Sequence, residues 1–243
     1  MLAELQSDSL KRGRLGWELE LAGDAAAHRF LMKALAAARP DDAVLSEEGR
    51  DDRSRVNQHR AWIVDPLDGS NGFGEGNGEW AVHVALVEGG APTAGAVTAP
   101  ALGLIASTLN PSPHRAETAS NAAPVVAMGR SRAWRDGQLV IDAIDGDLIV
   151  CGSAGVKALL VIHGQADVYV HDSPLYEWDV CAPMVVAQAS GLHVSDCRGQ
   201  DLHFNKPDPV VSSLMISRSE LAQDVANTLK CRASSTERDK CPS

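Results

Sequence analysis

The chain has 243 residues, of which 44% are hydrophobic, and a formal net charge of −10. This length is enough for one large domain, or for two small ones, with a sizeable core. The acidic balance excludes a protein that binds nucleic acid through a basic surface. An acidic protein can still bind an anionic substrate where bound metal ions reverse the local field.

Cysteine usage and the apolar runs indicate a cytoplasmic protein. The five cysteines are odd in number and show no Cys-x-x-Cys spacing, which fits a reducing compartment better than a disulfide scaffold or a zinc site. No apolar run approaches the roughly 20 residues that a membrane span requires. The first residues include acids and lack a continuous apolar core, so we expect no signal peptide.

Helix and strand patterns alternate along the chain and predict an α/β layered fold. Runs with apolar spacing near 3.6 residues are interpreted as helices, and short apolar or alternating runs as strands. The charged stretch 49–60 is predicted to be an exposed loop, and the glycine-rich stretch 71–78 a mobile one. The predicted elements, in chain order, are a helix at 24–38, strands at 43–45, 62–64, 80–87, 94–98, 124–128 and 148–151, a helix at 154–164, a strand at 166–170 and a helix at 179–190.

A segment rich in Ser, Ala and Pro, residues 111–123, marks a candidate boundary between two halves. We expect an N-terminal α+β half at 1–115 and a C-terminal α/β half at 116–243. The first half carries Asp24, Glu47 and the segment 65–70, and the second carries Lys157 and Asp179.

The segment 65–70, Asp-Pro-Leu-Asp-Gly-Ser, is the first candidate site. Its carboxylates, Asp65 and Asp68, follow a buried strand and converge if the chain turns sharply, as proline and glycine allow. Two carboxylates and the Leu67 carbonyl supply the hard oxygen ligands that Mg²⁺ requires. Amides of Gly69 and Ser70 at a helix start can hold a phosphate oxygen. An ordinary surface turn explains the hexapeptide equally well.

Two further acid clusters stand at the same kind of position. Glu47 and Glu48 follow a short apolar strand, and Glu177 and Asp179 open an apolar helix. In isolation, the first pair is explained as a solvated face and the second as helix capping. Together with 65–70, they place acids where apolar elements meet loops, which is where α/β proteins build their sites.

These three segments resemble, in order, the signatures of the lithium-sensitive, magnesium-dependent phosphatases, the inositol monophosphatase superfamily. That superfamily includes inositol monophosphatases, fructose 1,6-bisphosphatases and 3′(2′),5′-bisphosphate nucleotidases. The resemblance runs from about residue 20 to about residue 229 and implies an αβαβα sandwich of the sugar-phosphatase type. The residues that carry it are Leu45-Ser46-Glu47-Glu48, Trp62-Ile63-Val64-Asp65-Pro66-Leu67-Asp68-Gly69-Ser70 and Trp178-Asp179-Val180-Cys181-Ala182-Pro183.

The resemblance implies metal ligands residue by residue. Glu47 and Asp65 would hold a first Mg²⁺ together with the Leu67 carbonyl. Asp65, Asp68 and Asp179 would hold a second, and a third ion remains an option. The implied chemistry is metal-assisted hydrolysis without a covalent phosphoenzyme.

The resemblance also implies catalytic roles for Asp24, Ser70 and Glu47. Asp24 and the Ser70 hydroxyl would orient the attacking water, and Ser70 stands where the family usually has threonine. Because the hydroxyl is kept, we expect weaker positioning and no lost function. The histidines are expected at the surface or behind the ligands, and His83, inside an alternating β pattern, is the least clear of them.

Residues 152–157 narrow the substrate class. They resemble the segment of CysQ-type nucleotidases that carries a lysine, where inositol monophosphatases more often have a neutral residue. A cation at Lys157 would bind a second phosphate, unless it is an ordinary solvated helix lysine. Arg132 stands where nucleotidases have histidine, and Asp172 where inositol phosphatases bind a substrate hydroxyl. The predicted substrate-binding residues are Gly69, Ser70, Gly152, Ser153, Lys157, Arg132 and Asp172.

We therefore expect a phosphatase that removes the 3′-phosphate of adenosine 3′,5′-bisphosphate, a by-product of sulfur assimilation. Inositol 1-phosphate and fructose 1,6-bisphosphate are the alternative substrates, and a non-catalytic phosphometabolite-binding protein is the remote alternative. The expected assembly is a monomer or a homodimer. The family has a longer N-terminal helix before Trp17, and this chain is expected to lack most of it.

Overall fold

The computed structural model describes residues 1–111, 123–130 and 138–229. Its first part builds one sheet with helices before and after β2. The elements are α1 (Leu2–Lys11), α2 (Trp17–Ala38), β1 (Ala43–Ser46), a 3-10 helix (Ser54–Asn57), β2 (Arg60–Asp68), α3 (Ser70–Gly74), β3 (Ala81–Glu88), β4 (Ala91–Ala99), a second 3-10 helix (Pro100–Leu102) and β5 (Leu104–Ser107).

The second part alternates strands and helices and ends with a helical segment at 222–229. Each predicted strand and helix of this part is present, with bounds shifted by three residues or fewer. The elements are β6 (Val125–Met128), α4 (Gln138–Ile144), β7 (Asp147–Val150), α5 (Ala154–Ile162), β8 (Val168–His171), β9 (Leu175–Tyr176), α6 (Glu177–Ala189), β10 (His193–Ser195), β11 (Val210–Val211) and β12 (Leu214–Ser217).

The strands form two five-stranded sheets and a small ribbon. The first sheet has the order β1-β2-β3-β4-β5, in which only the β1–β2 pair is parallel. The second has the order β10-β12-β8-β6-β7, with β8, β6 and β7 parallel to one another. Strands β9 and β11 pair antiparallel beside the start of α6.

Helices and sheets stack in five layers, which confirms the αβαβα sandwich. Helices α1 and α2 cover the outer face of the first sheet with a small apolar cluster around Phe73 and Trp80. Helices α5 and α6 lie between the sheets in the largest cluster, which takes residues from both halves. Helix α4 and the segment 222–229 cover the outer face of the second sheet. The two expected halves therefore share one core, and their boundary at 115/116 lies outside the described residues.

A helix, α1, precedes Trp17, and the expectation that most of a longer N-terminal helix is missing stays a prediction. Helix α1 has ten residues, and α2 begins at Trp17 rather than at residue 24. Between them, Gly13 and Gly16 adopt φ of 68° and 76°, which ends one helix and allows the next to begin. Helix α1 was not predicted because the segment has little apolar character, and one of its two buried residues, Gln6, is polar.

Gln6 connects α1 to the glycine-rich stretch, which is ordered by hydrogen bonds. Its amide donates to the carbonyls of Phe73 (2.9 Å) and Asn77 (3.3 Å) and accepts from the Trp80 indole (3.3 Å). The stretch begins with α3 and closes on itself through backbone bonds. The prediction of a mobile loop at 71–78 was therefore wrong, because polar partners outside the stretch are invisible in its composition.

The charged stretch after β1 is also not a simple exposed loop. Arg55 is 2% exposed and its guanidinium binds Asp51, the Asn205 side chain and the Lys206 carbonyl. The amides of Asn205 and Lys206 in turn donate to the buried carboxylate of Glu177 at the start of α6. This polar network joins the end of β1 to the loop that packs on α6.

Candidate active site

Strand β2 ends in an irregularity that carries two aspartates. It pairs with β3 regularly as far as Asp65, opposite His83, and the register shifts before Asp68, opposite Ala81. Proline is tolerated inside this strand because Pro66 lies in the shift, beyond the residues that pair with β1. The Leu67 amide donates to Asp65 Oδ1 at 3.0 Å, which fixes that carboxylate against the turn. Asp65 and Asp68 are 1% and 8% exposed.

A third aspartate joins them from the first turn of α6. Asp179 Oδ2 accepts a hydrogen bond from the Tyr176 amide at 3.0 Å, so the side chain also caps its helix. Carboxylate oxygens of Asp65, Asp68 and Asp179 lie within 4.8 Å of one another. The carboxyl of Glu47, in the turn that follows β1, faces that of Asp65. The four predicted carboxylate ligands therefore come together.

The cluster fits a divalent cation by a structural criterion. Asp65 Oδ2 is buried and accepts no hydrogen bond from the residues that the structure describes. A buried charged oxygen without a partner is costly, and a cation in contact with several such oxygens removes that cost. Carboxylates are the ligands that Mg²⁺ and Ca²⁺ prefer.

Electrostatics of the carboxylate cluster lead to the same conclusion. Burial, followed by repulsion from Asp68 and Glu47, raises the pKa of Asp65 well above its ordinary value. Burial and repulsion from Asp68 raise the pKa of Asp179 to about 7. Burial and the charges of the adjacent glutamates raise the pKa of Asp24 to about 7. Groups that repel one another in this way require a cation or bound protons.

Asp68, by contrast, is held in its ionised form. Its carboxylate accepts hydrogen bonds from the Ser153 hydroxyl and from the amides of Ala154 (3.2 Å) and Gly155 (2.6 Å) at the start of α5. Burial alone would raise the pKa of Asp68, but hydrogen bonding and charge from His83, with further contributions from other neighbours, hold it below its ordinary value. The helix dipole acts in the same direction. Asp68 is therefore the fixed negative charge of the site.

His83 is the residue behind the ligands that sequence reasoning left open. It is fully buried, with Nε2 3.3 Å from Asp68 Oδ2 and Nδ1 3.9 Å from Asp65 Oδ2. Nδ1 also lies 3.1 Å from the Trp178 carbonyl. The alternation of buried residues along β3 places position 83 on the face toward α5 and α6. That alternation was readable in the sequence, but the partner across the strands was not.

The two residues expected to orient water lie on separate helices. Asp24 is half-buried on α2, and Ser70 is the first residue of α3. Gly69 before it adopts φ of 82°, and a Cβ there would lie 2.4 Å from the Glu79 carbonyl oxygen. Only glycine fits this position.

Lys157 does not bind substrate directly in this arrangement. The side chain is 2% exposed, and its ammonium donates to the carbonyls of Cys151 (3.1 Å), Gly152 (3.1 Å) and Ser153 (2.7 Å). An ammonium has three donors, and all three are used. Burial lowers the pKa of Lys157. The prediction of a lysine on the second phosphate is corrected to a lysine that fixes the loop before α5.

The remaining predicted substrate residues differ in their positions. Ser153 is buried on Asp68, whereas the Gly152 amide donates to Glu79 Oε2 at 2.9 Å. Arg132 lies outside the described residues. Asp172 follows β8 and lies near Cys197. Burial raises the pKa of the Cys197 thiol to about 12, and the charge of Asp172 adds to this shift. Its contact with a substrate hydroxyl stays a prediction.

Fold and site together define the class: a five-layer α/β protein with a carboxylate cluster that could hold a divalent cation where β1, β2 and α6 meet. A sequence profile of the inositol monophosphatase family matches residues 20–233. The chain belongs to the inositol monophosphatase family. In the described part of the chain, no helix combines the length and apolar character that crossing a membrane requires.

Curated relatives are similar over most of their length. The chain is 40% identical over 221 residues to "3′-phosphoadenosine 5′-phosphate phosphatase" of Mycobacterium tuberculosis, covering 85% of this chain and 80% of that protein. It is 34% identical over 193 residues to "3′(2′),5′-bisphosphate nucleotidase CysQ" of Escherichia coli, covering 75% and 78%. Among solved structures, inositol monophosphatase II of Staphylococcus aureus superposes with a TM-score of 0.79 at 17% identity, covering 100% and 95% of the two chains.

Proposed function

We propose that this chain is a Mg²⁺-dependent phosphomonoesterase that removes the 3′-phosphate of adenosine 3′,5′-bisphosphate and yields AMP and phosphate. The observation that carries the activity is the convergence of Asp65, Asp68 and Asp179 within 4.8 Å beside Glu47. The substrate is supported by the nucleotidase relatives at 34–40% identity. In this role, the protein would clear a by-product of sulfur assimilation in the cytoplasm.

The carboxylates divide the work of metal binding. Glu47, Asp65 and the Leu67 carbonyl would hold one Mg²⁺, and Asp65, Asp68 and Asp179 a second, with a third ion as an option. Bound Mg²⁺ would supply Lewis-acid stabilisation of the phosphate oxygens and lower the pKa of a water molecule. Asp68, which the start of α5 keeps ionised, gives the site a fixed anion at every physiological pH.

Asp24 and Ser70 act on the attacking water. A carboxyl whose pKa is about 7 is matched to neutral pH as a general base, so Asp24 takes a proton from the water as it attacks phosphorus. The Ser70 hydroxyl orients that water, and the Gly69 turn brings backbone amides close to the phosphate. The bond that breaks joins phosphorus to the 3′ oxygen of the ribose. The 3′ alkoxide that leaves takes a proton from solvent.

The alternative substrates are inositol 1-phosphate and fructose 1,6-bisphosphate, the sugar phosphates of other enzymes in the superfamily. A non-catalytic binding protein is disfavoured, because a lineage that had lost catalysis would be expected to lose at least one acid. The acids that the chemistry requires are all present, namely Asp24, Glu47, Asp65, Asp68 and Asp179.

The test is phosphate release from adenosine 3′,5′-bisphosphate, inositol 1-phosphate and fructose 1,6-bisphosphate, with Mg²⁺ and with EDTA. We expect a Mg²⁺-dependent preference for the nucleotide, and inhibition by Li⁺ as in the family. Asp65→Asn should abolish turnover, while Asp147→Asn at the exposed start of β7 is the matched control. Better turnover of a sugar phosphate would assign the alternative activity, and equal rates in EDTA would refute the metal site.

A further inference from the structure

Three donors converge on one carboxylate at the edge of the site. The Arg130 guanidinium approaches Glu79 with both terminal nitrogens, at 2.7 Å to Oε2 and 2.8 Å to Oε1. The Gly152 amide donates to the same Oε2 at 2.9 Å. A two-nitrogen guanidinium contact plus a backbone amide is the donor set with which proteins bind phosphate. Glu79 thus occupies an arrangement that would also suit a phosphate group.

The Gly152 amide is oriented by the buried lysine behind it. Lys157 binds the carbonyls of residues 151, 152 and 153 from inside the protein, so the carbonyls of this loop point inward. The Gly152 amide then faces the opposite side, toward Glu79. Arg130 packs closely there, since a Cβ on Gly152 would lie 3.2 Å from its Nη1. Lys157 therefore acts on the anion position through the loop.

This anion position lies next to the carboxylate cluster. Ser153 and Ala154, the two residues after Gly152, both donate to Asp68. Two peptide units separate the Gly152 and Ala154 amides, so the two nitrogens are at most roughly 7 Å apart. A ligand with one phosphate at the carboxylate cluster and another group across a ribose can reach the Arg130 position.

We propose that Arg130 and the Gly152 amide bind the second phosphate of the substrate, the one that is not hydrolysed, and that Glu79 fills this position until substrate displaces it. The proposal rests on the proposed nucleotidase function and names the residues that select a bisphosphate. Side chains of Arg130 and Glu79 are 58% and 26% exposed, so their ion pair is screened by water and weak. A doubly charged phosphate competes with one carboxylate for the same three donors.

The test compares adenosine 3′,5′-bisphosphate with adenosine 3′-monophosphate, which has the same scissile ester and no second phosphate. The measured quantity is the ratio of kcat/KM for the bisphosphate to that for the monophosphate. Glu79→Gln removes the competing charge and should raise this ratio about 3- to 5-fold, the effect of losing a surface ion pair. Arg130→Gln should lower it about 10-fold or more, because a charged hydrogen bond to phosphate is lost.

The matched control is Glu220→Gln, which breaks the ion pair with Arg218 after β12 and should leave the ratio at its wild-type value. A purely structural ion pair gives a different result. In that case Glu79→Gln would lower kcat/KM for both nucleotides by the same factor, and the ratio would not rise. That outcome would overturn the proposal.

A binding measurement separates this proposal from the proposed function. Adenosine 5′-monophosphate carries only the phosphate that is not hydrolysed, so its binding can be titrated calorimetrically in EDTA without turnover. Glu79→Gln should bind it more tightly than the wild type and Arg130→Gln more weakly, with unmodified adenosine as the reference ligand. If the wild type cleaves neither nucleotide, the proposed function fails, and the titration still tests whether Arg130 and the Gly152 amide bind a phosphate. Equal affinities in the three proteins would refute the anion position.

Discussion

Replacing Asp179 with asparagine keeps the shape and the helix cap of this side chain but removes its charge. The folded-state pKa of Asp179 is about 7 against an ordinary 3.8, through burial and then through the charge of Asp68. Because the folded value is the higher one, the folded state binds more protons between about pH 4 and pH 7, and stability falls as the pH rises through that window. At 1.36 kcal/mol per unit, the ionised group costs up to about 4 kcal/mol at pH 8.

The expected gain is smaller, about 2 kcal/mol, because the neighbouring carboxylates relax and the new amide is itself buried. In EDTA at pH 8, Asp179→Asn should therefore melt roughly 4–8 °C above the wild type. At pH 4, where the wild-type carboxyl is protonated in the fold, the two proteins should melt together. With Mg²⁺ the wild type should melt above the variant, because Mg²⁺ binding stabilises the wild type and the variant lacks one of the ligands.

Differential scanning calorimetry with and without Mg²⁺ measures both effects, and Asp147→Asn is the control for an exposed aspartate. Turnover by Asp179→Asn should fall by more than about 100-fold, because changes behind metal ligands already cost 10- to 100-fold. A variant that melts below the wild type in EDTA, or that Mg²⁺ stabilises as much as the wild type, would refute the account of a mutually repelling ligand cluster.

Four other outcomes follow from the same contacts. Gly69→Ala forces a Cβ against the Glu79 carbonyl and a strained φ, so activity should be lost and urea denaturation should show a loss of about 2 kcal/mol; an unchanged midpoint would contradict this. Arg55→Ala should cost about 2 kcal/mol in the same assay, because the charged hydrogen bonds of this buried guanidinium to Asp51 and Asn205 are lost. The exposed Arg53→Ala is the near-neutral control. Gln6→Leu should accelerate amide hydrogen exchange in residues 71–77 and lower the free energy of unfolding by about 2 kcal/mol, because the hydrogen bonds to this stretch are lost. Unchanged exchange rates would contradict this. Mg²⁺ binding at pH 7 should release protons, seen by calorimetry in buffers of different ionisation enthalpy, because ligands that share bound protons must give them up.

The sequence was most informative where the chemistry is local. The acids of the carboxylate cluster stand where short apolar elements meet loops. A strand followed by acids located Glu47, Asp65 and Asp68, and an acid at the start of an apolar helix located Asp179. Their convergence could be expected because α/β proteins build their sites where such elements meet loops. The layered fold was predictable for the same reason, since element types alternate clearly after residue 123.

Partners that are distant in sequence were not predictable. Lys157 was singled out as the cation for a second phosphate, but its burial and its three carbonyl partners depend on how α5 packs between the sheets. His83 was visible as a position in an alternating β pattern, but its contact with Asp68 depends on the register of β2 and β3. The pairing of Glu79 with Arg130 spans both halves, which no local pattern encodes.

The site resolves an electrostatic conflict by dividing its carboxylates into two groups. Asp68 is stabilised as an anion by the start of α5 and by His83, so it is charged before any cation arrives. Asp65 and Asp179 are driven toward the protonated state by burial and by that fixed charge. Asp68 would attract a divalent cation as a fixed anion, and Asp65 and Asp179 would ionise as further ligands once their mutual repulsion is offset. In this acidic protein, a cation bound by the carboxylate cluster would supply the positive charge that the phosphate to be hydrolysed requires.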